Sequence, residues 1–183
     1  MNNYKKYFDK ISSNLDKYSA GDFIKKSINL INLCKENHGK IIIVGNGGSA
    51  AIASHVSVDF VKAAGIRSIN FNEADLITCF ANDFGYENWL EKSLEFYADK
   101  KDLVILISSS GKSQNIINAV NKAKKLDLFV VTFTGFEKDN IISKSSDLNF
   151  WVNSKAYNVI ENIHQIWLLM ACDLIIGKTV YDP

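Results

Sequence analysis

The chain has 183 residues, of which 47% are hydrophobic and 22% charged, as expected of one ordinary globular domain. Its formal net charge of +1 argues against broad electrostatic binding to nucleic acid or to an anionic membrane surface. The three cysteines lie far apart without metal-ligand spacing, and the N-terminus lacks an apolar signal core. We therefore expect a cytoplasmic domain with buried thiols and with no nucleic-acid or membrane partner.

The N-terminal part of the chain predicts a pair of helices. Apolar residues recur at helical spacing from residue 4 to about residue 37. Gly21 and Asp22 are expected to separate the two helices, with Asp22 as the candidate N-cap of the second. Residues 1–38 are thus predicted to precede an α/β core at residues 39–183, within one domain.

Runs of apolar residues without alternation predict strands that are buried on both faces. These runs lie at residues 40–44, 102–107, 128–133 and 147–152, with a shorter strand at 68–71. Amphipathic stretches predict helices at residues 49–64, 74–82, 87–99, 113–126 and 157–176. Apolar strands that alternate with helices specify a parallel sheet covered by helices on both faces.

The first strand runs into a glycine-rich loop, Gly-Asn-Gly-Gly-Ser at residues 45–49. Glycines let the backbone approach an anion closely, and the helix that follows offers free N–H groups and the positive end of its dipole. The alternative is a tight turn with a serine N-cap. The spacing matches neither the dinucleotide fingerprint nor the nucleotide P-loop. The candidate binding residues here are Asn46, Gly47, Gly48 and Ser49.

A second loop, Ser-Ser-Ser-Gly-Lys-Ser at residues 108–113, also joins a buried strand to a helix. Its four hydroxyls and successive backbone N–H groups can donate hydrogen bonds to phosphate oxygens. The alternative is a polar loop in which Ser113 caps the next helix. Ligands of open parallel sheets bind beyond the carboxyl ends of the strands, where both loops lie. The candidate phosphate contacts are Ser108, Ser109, Ser110 and Ser113.

With these features the chain resembles the sugar isomerase (SIS) domain family, and within it the sedoheptulose-7-phosphate isomerases, or phosphoheptose isomerases. The resemblance covers nearly the whole chain. It is carried by both loops, by His55, by residues 81–85 and by residues 160–164. It implies a three-layer α/β/α sandwich with a flavodoxin-like central parallel sheet, and a homotetramer whose sites are shared between subunits.

The resemblance also implies a reaction, the interconversion of a ketose phosphate and an aldose phosphate. This reaction needs a base beside the carbonyl group and an acid or a metal at the carbonyl oxygen. In the family, a His and a Glu one turn apart follow the glycine loop, a Gln and a second His stand on the last helix, and the four can hold zinc. Here the first pair is His55 and Asp59, which share one helix face. The alternative for this pair is a weak surface interaction.

The last helix departs from the family pattern. The Gln position is Glu161, the second His position is Leu169, and His164 occupies a position seen as His in relatives. Glu161 is a candidate base or metal ligand, and His164 is a candidate acid, with core packing as its alternative. The catalytic candidates are thus His55, Asp59, Glu161 and His164. Zinc, with His55, Asp59 and Glu161 as candidate ligands, is less expected than in the relatives because one imidazole is missing.

Two further residues are candidate substrate contacts through the same resemblance. Asp83 matches a family position that touches the sugar, with an Asx turn before Gly85 as its alternative. Asn158 stands where relatives carry an acid that contacts substrate hydroxyls. Because Arg67 is the only arginine, the serines and backbone N–H groups must hold the phosphate, with Lys112 either a further contact or solvent-facing.

Several functions stay open at this point. The leading hypothesis is an aldose–ketose isomerase that converts sedoheptulose 7-phosphate to D-glycero-D-manno-heptose 7-phosphate, for the heptose of a bacterial lipopolysaccharide or capsule. A second is an isomerase or epimerase of another sugar phosphate, because the departures from the family lie at the sugar end of the site. A third is a non-catalytic phosphosugar-binding or regulatory SIS protein. A dinucleotide-dependent oxidoreductase fits least, because the glycine spacing is wrong.

Overall fold

The computed structural model describes residues 3–19 and 22–180. Its strands are β1 (Ile41–Gly45), β2 (Ser68–Ile69), β3 (Leu103–Ser108), β4 (Phe129–Thr134) and β5 (Leu148–Trp151). Its helices are α1 (Asn3–Ser19), α2 (Asp22–Glu36), α3 (Gly48–Lys62), α4 (Ala74–Phe84), α5 (Trp89–Tyr97), α6 (Gln114–Lys125), α7 (Ile141–Ser145) and α8 (Tyr157–Ile176). The predicted break at Gly21 and the predicted cap by the Asp22 side chain lie outside the described part of the chain.

The strands form one parallel sheet in the order β2-β1-β3-β4-β5, which confirms the predicted fold class. Ile41 lies opposite Leu103 at the start of the β1–β3 pair, and Gly45 lies opposite Ile107 at its end. The chain leaves β1 toward β2 on one side and returns to β3 on the other, so strand order reverses between β1 and β3. Ligands of such sheets bind at this switch point, and both candidate loops start there.

Two hydrophobic clusters cover the two faces of the sheet and explain the unbroken apolar strands. Along β1, Ile41 and Ile43 point into the cluster formed with α2, α3 and α8, while Ile42 and Val44 point into the cluster formed with α5 and α6. All four side chains are completely buried. Full burial of each such side chain stabilises the fold by about 1.5–3 kcal/mol, which is why no polar residue interrupts the strand.

The helix α8 forms one wall of the candidate functional site. It is long and apolar enough to cross a membrane by length and composition alone. However, Ile160, Ile163 and Trp167 form a stripe that is buried against the sheet, as in the core helix of a folded domain. Beside this stripe, α8 packs against α3 and α1. Glu161, in the N-terminal half of α8, lies next to Gly48 of the glycine loop.

The structure differs from the predicted elements at a few boundaries. β2 has only two residues, and α3 begins at Gly48, one residue earlier than expected. The short helix α7 was not predicted, and it forms because the Asn140 side chain accepts a hydrogen bond from the Ser143 N–H at its first turn. Asp147 precedes β5 rather than joining it, because its carboxylate accepts from the Val130 N–H and pairs with Lys124.

Candidate functional site

A polar cavity of about 360 Å³ opens between α3 and α8, beside the switch point of the sheet. Its lining residues are Gly48, Ala51, Ile52 and His55 from α3 and Asn158, Glu161, Asn162 and Gln165 from α8. The glycine loop positions the first turn of α3, and the core stripe of α8 fixes the rotation of that helix. The cavity therefore gathers an imidazole, a carboxylate and three amides, a set suited to hydroxyl and carbonyl groups.

His55 is held between two side chains on the cavity wall. Its Nε2 lies 3.5 Å from Asp59 Oδ2 on the same helix, as the i, i+4 spacing predicts. Its Nδ1 lies 3.1 Å from Gln165 Nε2 on the facing helix. Gln165 is a functional candidate that the sequence analysis missed, although its place one turn after Glu161 on the same face could have indicated it.

Glu161 lies against the start of α3. A Cβ atom on Gly48 would lie 2.3 Å from Glu161 Oε2, so only glycine leaves room for this carboxylate. Burial raises the pKa of the Glu161 carboxyl above its ordinary value. Among residues 3–19 and 22–180, no hydrogen bond or ion pair engages the carboxylate, and a free carboxylate of raised pKa is a fitting general base.

The structure contradicts the prediction of His164 as a catalytic acid. Its side chain is completely buried, Nε2 lies 3.1 Å from the Thr134 carbonyl oxygen, and the ring packs edge-on against Phe133. Burial lowers the pKa of His164 to about 4. The reason is its place on the apolar stripe of α8, which faces the sheet while Glu161 faces the cavity. The alternative given above, a core packing contact, is what the structure shows.

The predicted zinc ligands do not form a metal-binding group. In the described part of the chain, no three His, Cys, Asp or Glu side chains lie close enough to hold a metal ion. His55 and Asp59 face each other, whereas Glu161 lies on the other helix. The position of the family's second histidine holds the apolar Leu169. Zinc sites take three or four converging protein ligands, so the donor set of one chain does not fit this metal.

The glycine loop is tied to α6 by a pair of amides. Asn46 and Asn115 each donate an amide hydrogen to the other's oxygen at 3.0 Å, and the Tyr86 hydroxyl donates to Asn46 Oδ1 at 3.4 Å. The amide of Asn46 thus holds the loop in place instead of reaching freely into the cavity. Asn115 is buried and was not predicted, because nothing local to α6 indicates a partner 69 residues away.

The backbone of the glycine loop has fewer free donors than the sequence suggested. The N–H groups of Ser49 and Ala50 donate to Asn46 and Gly47 carbonyl oxygens within the turn. In the described structure the N–H groups of Gly47 and Gly48 make no such bond. The Gly47 and Gly48 N–H groups, unlike that of Ser49, are therefore among the donors that the loop can offer to a ligand.

The serine loop supplies hydroxyls around a turn. The Ser109 hydroxyl is buried and has no hydrogen-bond partner among the described residues. The Ser113 residue stands at the N-cap position of α6, but its side chain makes no capping bond, and it lies 3.5 Å from the Ser108 hydroxyl instead. Ser110 accepts from the Lys112 N–H at 3.2 Å. A buried hydroxyl without a partner is unusual in native proteins, and an anion bound in this loop would satisfy that of Ser109.

The turn of this loop depends on Gly111, which has a φ of 65°. A Cβ atom at this position would lie 2.5 Å from the Asn140 side chain, so the loop packs closely against the start of α7. The Gly111 N–H donates to the Ser108 carbonyl oxygen and closes the turn. A non-glycine residue would be strained here in both respects.

Of the two remaining candidate substrate contacts, Asn158 lies at the cavity and Asp83 does not. Asn158 lines the cavity as expected, and its carbonyl oxygen accepts from the Asn162 amide. Asp83 lies on the exposed last turn of α4, where its carboxylate accepts from Asn82, and it does not line this cavity. The Asx turn proposed as the alternative is also not seen, because Asp83 is helical.

The chain is similar to known proteins over most of its length. The family model of the SIS domain matches residues 4–135. The phosphoheptose isomerase of Helicobacter pylori strain P12 is 32% identical over 163 residues, covering 86% of this chain and 84% of that protein. The one from Thermodesulfovibrio yellowstonii is 35% identical over 162 residues, covering 85% of this chain and 77% of that protein.

Solved structures of phosphoheptose isomerases superpose closely on the chain. The protein from Neisseria gonorrhoeae has a TM-score of 0.86 at 25% identity, with 94% of both chains covered. The protein from Francisella tularensis has a TM-score of 0.86 at 26% identity, with 97% of this chain and 100% of that chain covered.

Proposed function

The chain belongs to the SIS domain family and, within it, to the phosphoheptose isomerases, and we propose that it converts sedoheptulose 7-phosphate to D-glycero-D-manno-heptose 7-phosphate. The observation that carries this proposal is the α3–α8 cavity, where Glu161 and His55 meet beside the switch point. It is an aldose–ketose isomerase, an intramolecular oxidoreductase, and its product would supply heptose for a bacterial surface polysaccharide.

The phosphate of the substrate is proposed to lie in the serine loop. Ser109 offers a buried hydroxyl without a partner, and Ser113 offers one that does not cap its helix. Neutral donors of this kind bind a phosphate dianion through charge-assisted hydrogen bonds and still release it. The Asn46–Asn115 amide pair fixes the distance between this loop and the glycine loop.

Glu161 is proposed to move the proton between the two carbon atoms. Its carboxylate takes a proton from C1 of the ketose and leaves an enediolate with its negative charge on the C2 oxygen. The proton of the C1 hydroxyl then passes to the C2 oxygen, and the protonated Glu161 returns its proton to C2, which gives the aldose and restores the carboxylate. The raised pKa makes the carboxylate a stronger base for this step. His55 lies in the same cavity. Its Nε2 is 3.5 Å from the Asp59 carboxylate, beyond a good hydrogen bond, and is proposed to donate instead to the substrate oxygen that gains negative charge.

Turnover of sedoheptulose 7-phosphate by Glu161→Gln tests this assignment. The amide keeps the shape of the side chain but cannot take a proton, so kcat should fall about 10²- to 10⁴-fold. The matched control is Glu95→Gln on α5, an exposed residue paired with Lys122 and Lys92, which should retain activity. Equal turnover of the two variants would contradict the role of Glu161.

A second candidate function, isomerisation of another sugar phosphate, is favoured by the changes at the sugar end of the site. Four residues differ from those that the family resemblance implies, whereas both phosphate loops match it; the four are Asp59, Asn158, Glu161 and Leu169. A thermal-shift series of sugar phosphates of five to seven carbons would separate the two. A larger shift with a shorter sugar, and turnover of it, would favour this candidate; shifts without any turnover would favour a binding protein.

A homotetramer is proposed as the assembly. Large apolar side chains are exposed on α1 (Tyr7 41%, Phe8 68%) and on α3 (Val58 59%, Val61 49%). A further groove of about 460 Å³ runs beside Ile166 and other residues of α8. Apolar surface of this extent commonly marks a contact between proteins. Light scattering should give four chains of 20.5 kDa, about 82 kDa in all; the mass of a single chain would contradict the proposal.

A cytoplasmic location is proposed from the thiols. Cys34, Cys79 and Cys172 are all free, and Cys34 and Cys172 are buried in apolar surroundings. Unpaired buried thiols are typical of reducing compartments. Fractionation of the producing cells tests this location, and the chain should be found among the cytoplasmic proteins.

A further inference from the structure

The two ring nitrogens of His55 face side chains of opposite hydrogen-bonding character. Nδ1 lies 3.1 Å from the amide nitrogen of Gln165, and Nε2 lies 3.5 Å from a carboxylate oxygen of Asp59. An amide nitrogen can only donate a hydrogen bond, and an ionised carboxylate can only accept one. Within the neutral ring, each partner independently favours the tautomer that carries its proton on Nε2.

We infer that Gln165 is a positioning residue that fixes His55 as its Nε2–H tautomer. A neutral histidine has one N–H donor, and the hydrogen bond at the other nitrogen decides where it lies. With the Gln165 amide donating to Nδ1, the remaining proton is on the nitrogen that the proposed reaction uses toward the substrate oxygen. This inference rests on the proposed function for its catalytic consequence, but the tautomer itself is a property of the resting protein.

Gln165 is placed by the same packing that builds the cavity. It lies four residues after Glu161, so both side chains point from the same face of α8 toward α3. Its neighbour His164 lies on the core stripe of the helix, which fixes the rotation of α8 and hence the direction of the Gln165 amide. A leucine or glutamate at this position could occupy similar space but could not donate to Nδ1.

Nitrogen NMR of the protein labelled with ¹⁵N-histidine tests the tautomer directly. The chain has three histidines, so the His55 signals can be assigned by comparison with a His55→Gln variant. At a pH where the ring is neutral, the wild type should show a protonated Nε2 and an unprotonated Nδ1. In Gln165→Leu we expect a mixture of tautomers, and in Gln165→Glu a proton on Nδ1, because a carboxylate there accepts.

A matched control is Gln114→Leu, which removes the chain's other glutamine amide, one that donates to Asn118 on α6. It should leave the His55 signals unchanged. In the activity assay, Gln165→Leu should lower kcat about 10- to 100-fold with little change in KM, as loss of a partner that orients a histidine commonly does. Gln165→Asn should show the same mixture of tautomers as Gln165→Leu, because its amide is one methylene shorter and does not reach Nδ1.

A wild-type spectrum with the proton on Nδ1 would overturn the inference, and so would Gln165→Leu and Gln165→Glu spectra identical to the wild type. A wrong substrate assignment would give a different result. A protein that shows the Nε2–H signal, and loses it in Gln165→Leu, but does not convert sedoheptulose 7-phosphate, would contradict the substrate and leave the positioning role supported.

Discussion

Replacing Gly48 by alanine should lower the activity of the protein but hardly change its stability, because the added methyl group contacts a flexible carboxylate. Its Cβ would lie 2.3 Å from Glu161 Oε2, whereas ordinary contacts begin at 3.4 Å, so the carboxylate must move by about 1 Å. A displacement of about 1 Å at a reacting group costs about 10²-fold in rate. We therefore expect Gly48→Ala to lower kcat/KM for sedoheptulose 7-phosphate about 100-fold.

The stability of Gly48→Ala should change little. Moving the Glu161 side chain off its preferred rotamer costs about 0.5–1.5 kcal/mol. Alanine in place of glycine at the start of a helix recovers up to about 1 kcal/mol. The two effects nearly cancel, and the melting temperature should stay within about 2–4 °C of the wild type, the shift that corresponds to about 1 kcal/mol in a chain of this size.

Gly39→Ala is the matched control, because its Cβ would also lie 2.3 Å from an oxygen, here the Lys101 backbone carbonyl. A backbone oxygen cannot swing away, so this variant should lose stability by about 1–3 kcal/mol while the folded fraction keeps its activity. Scanning calorimetry and steady-state kinetics on both variants give the comparison. Gly48→Ala with wild-type kcat/KM, or with the stability loss of Gly39→Ala, would refute the reasoning about Glu161.

The other predictions concern the phosphate, the buried histidine and zinc. Ser109→Ala should weaken binding of sedoheptulose 7-phosphate about 10-fold or more by calorimetry, because a hydrogen bond to a charged group is lost, while Ser145→Ala on α7 should not. His164 is neutral in the fold until about pH 4 but protonates near 6.5 when unfolded, so its contribution is complete above pH 6.5 and falls as the pH falls. Urea unfolding should therefore show about 2 kcal/mol less stability at pH 5 than at pH 7.5, a difference that His164→Leu should reduce; an unchanged difference would contradict burial of a neutral ring. Treatment with EDTA should leave turnover unchanged, since one chain offers no set of three zinc ligands; activity lost and restored by zinc would contradict this and indicate ligands from a second chain.

The sequence alone predicted the features that depend on local pattern. Fully apolar runs such as residues 40–44 are diagnostic of strands covered on both faces, and β1 has that environment. Both loops were placed correctly because each follows a buried strand, so their position at the carboxyl edge of a parallel sheet follows from topology. The pairing of His55 with Asp59 followed from helical spacing, which needs no knowledge of the tertiary structure.

What the sequence did not predict depends on contacts between distant segments. The Asn46–Asn115 pair and the Gln165–His55 contact join residues 69 and 110 positions apart. Helical spacing could have placed Gln165 on the face of Glu161, but no local pattern indicates the partner in either contact. His164 is a different case, since Ile160, Ile163 and Trp167 on the same stripe already indicated burial, and the family position of a histidine outweighed that signal. The free donors of the glycine loop could not be assigned either, because they depend on the turn that Ser49 and Ala50 close.

The claim that Glu161 moves a proton in the α3–α8 cavity is tested most directly by following sedoheptulose 7-phosphate with the protein in D₂O by NMR. A proton carried by a carboxylate exchanges with solvent, so the account predicts an aldose 7-phosphate with deuterium at C2, and no product at a comparable rate from Glu161→Gln. Absence of the aldose with folded protein, or the same deuterated product at the same rate from Glu161→Gln, would contradict it.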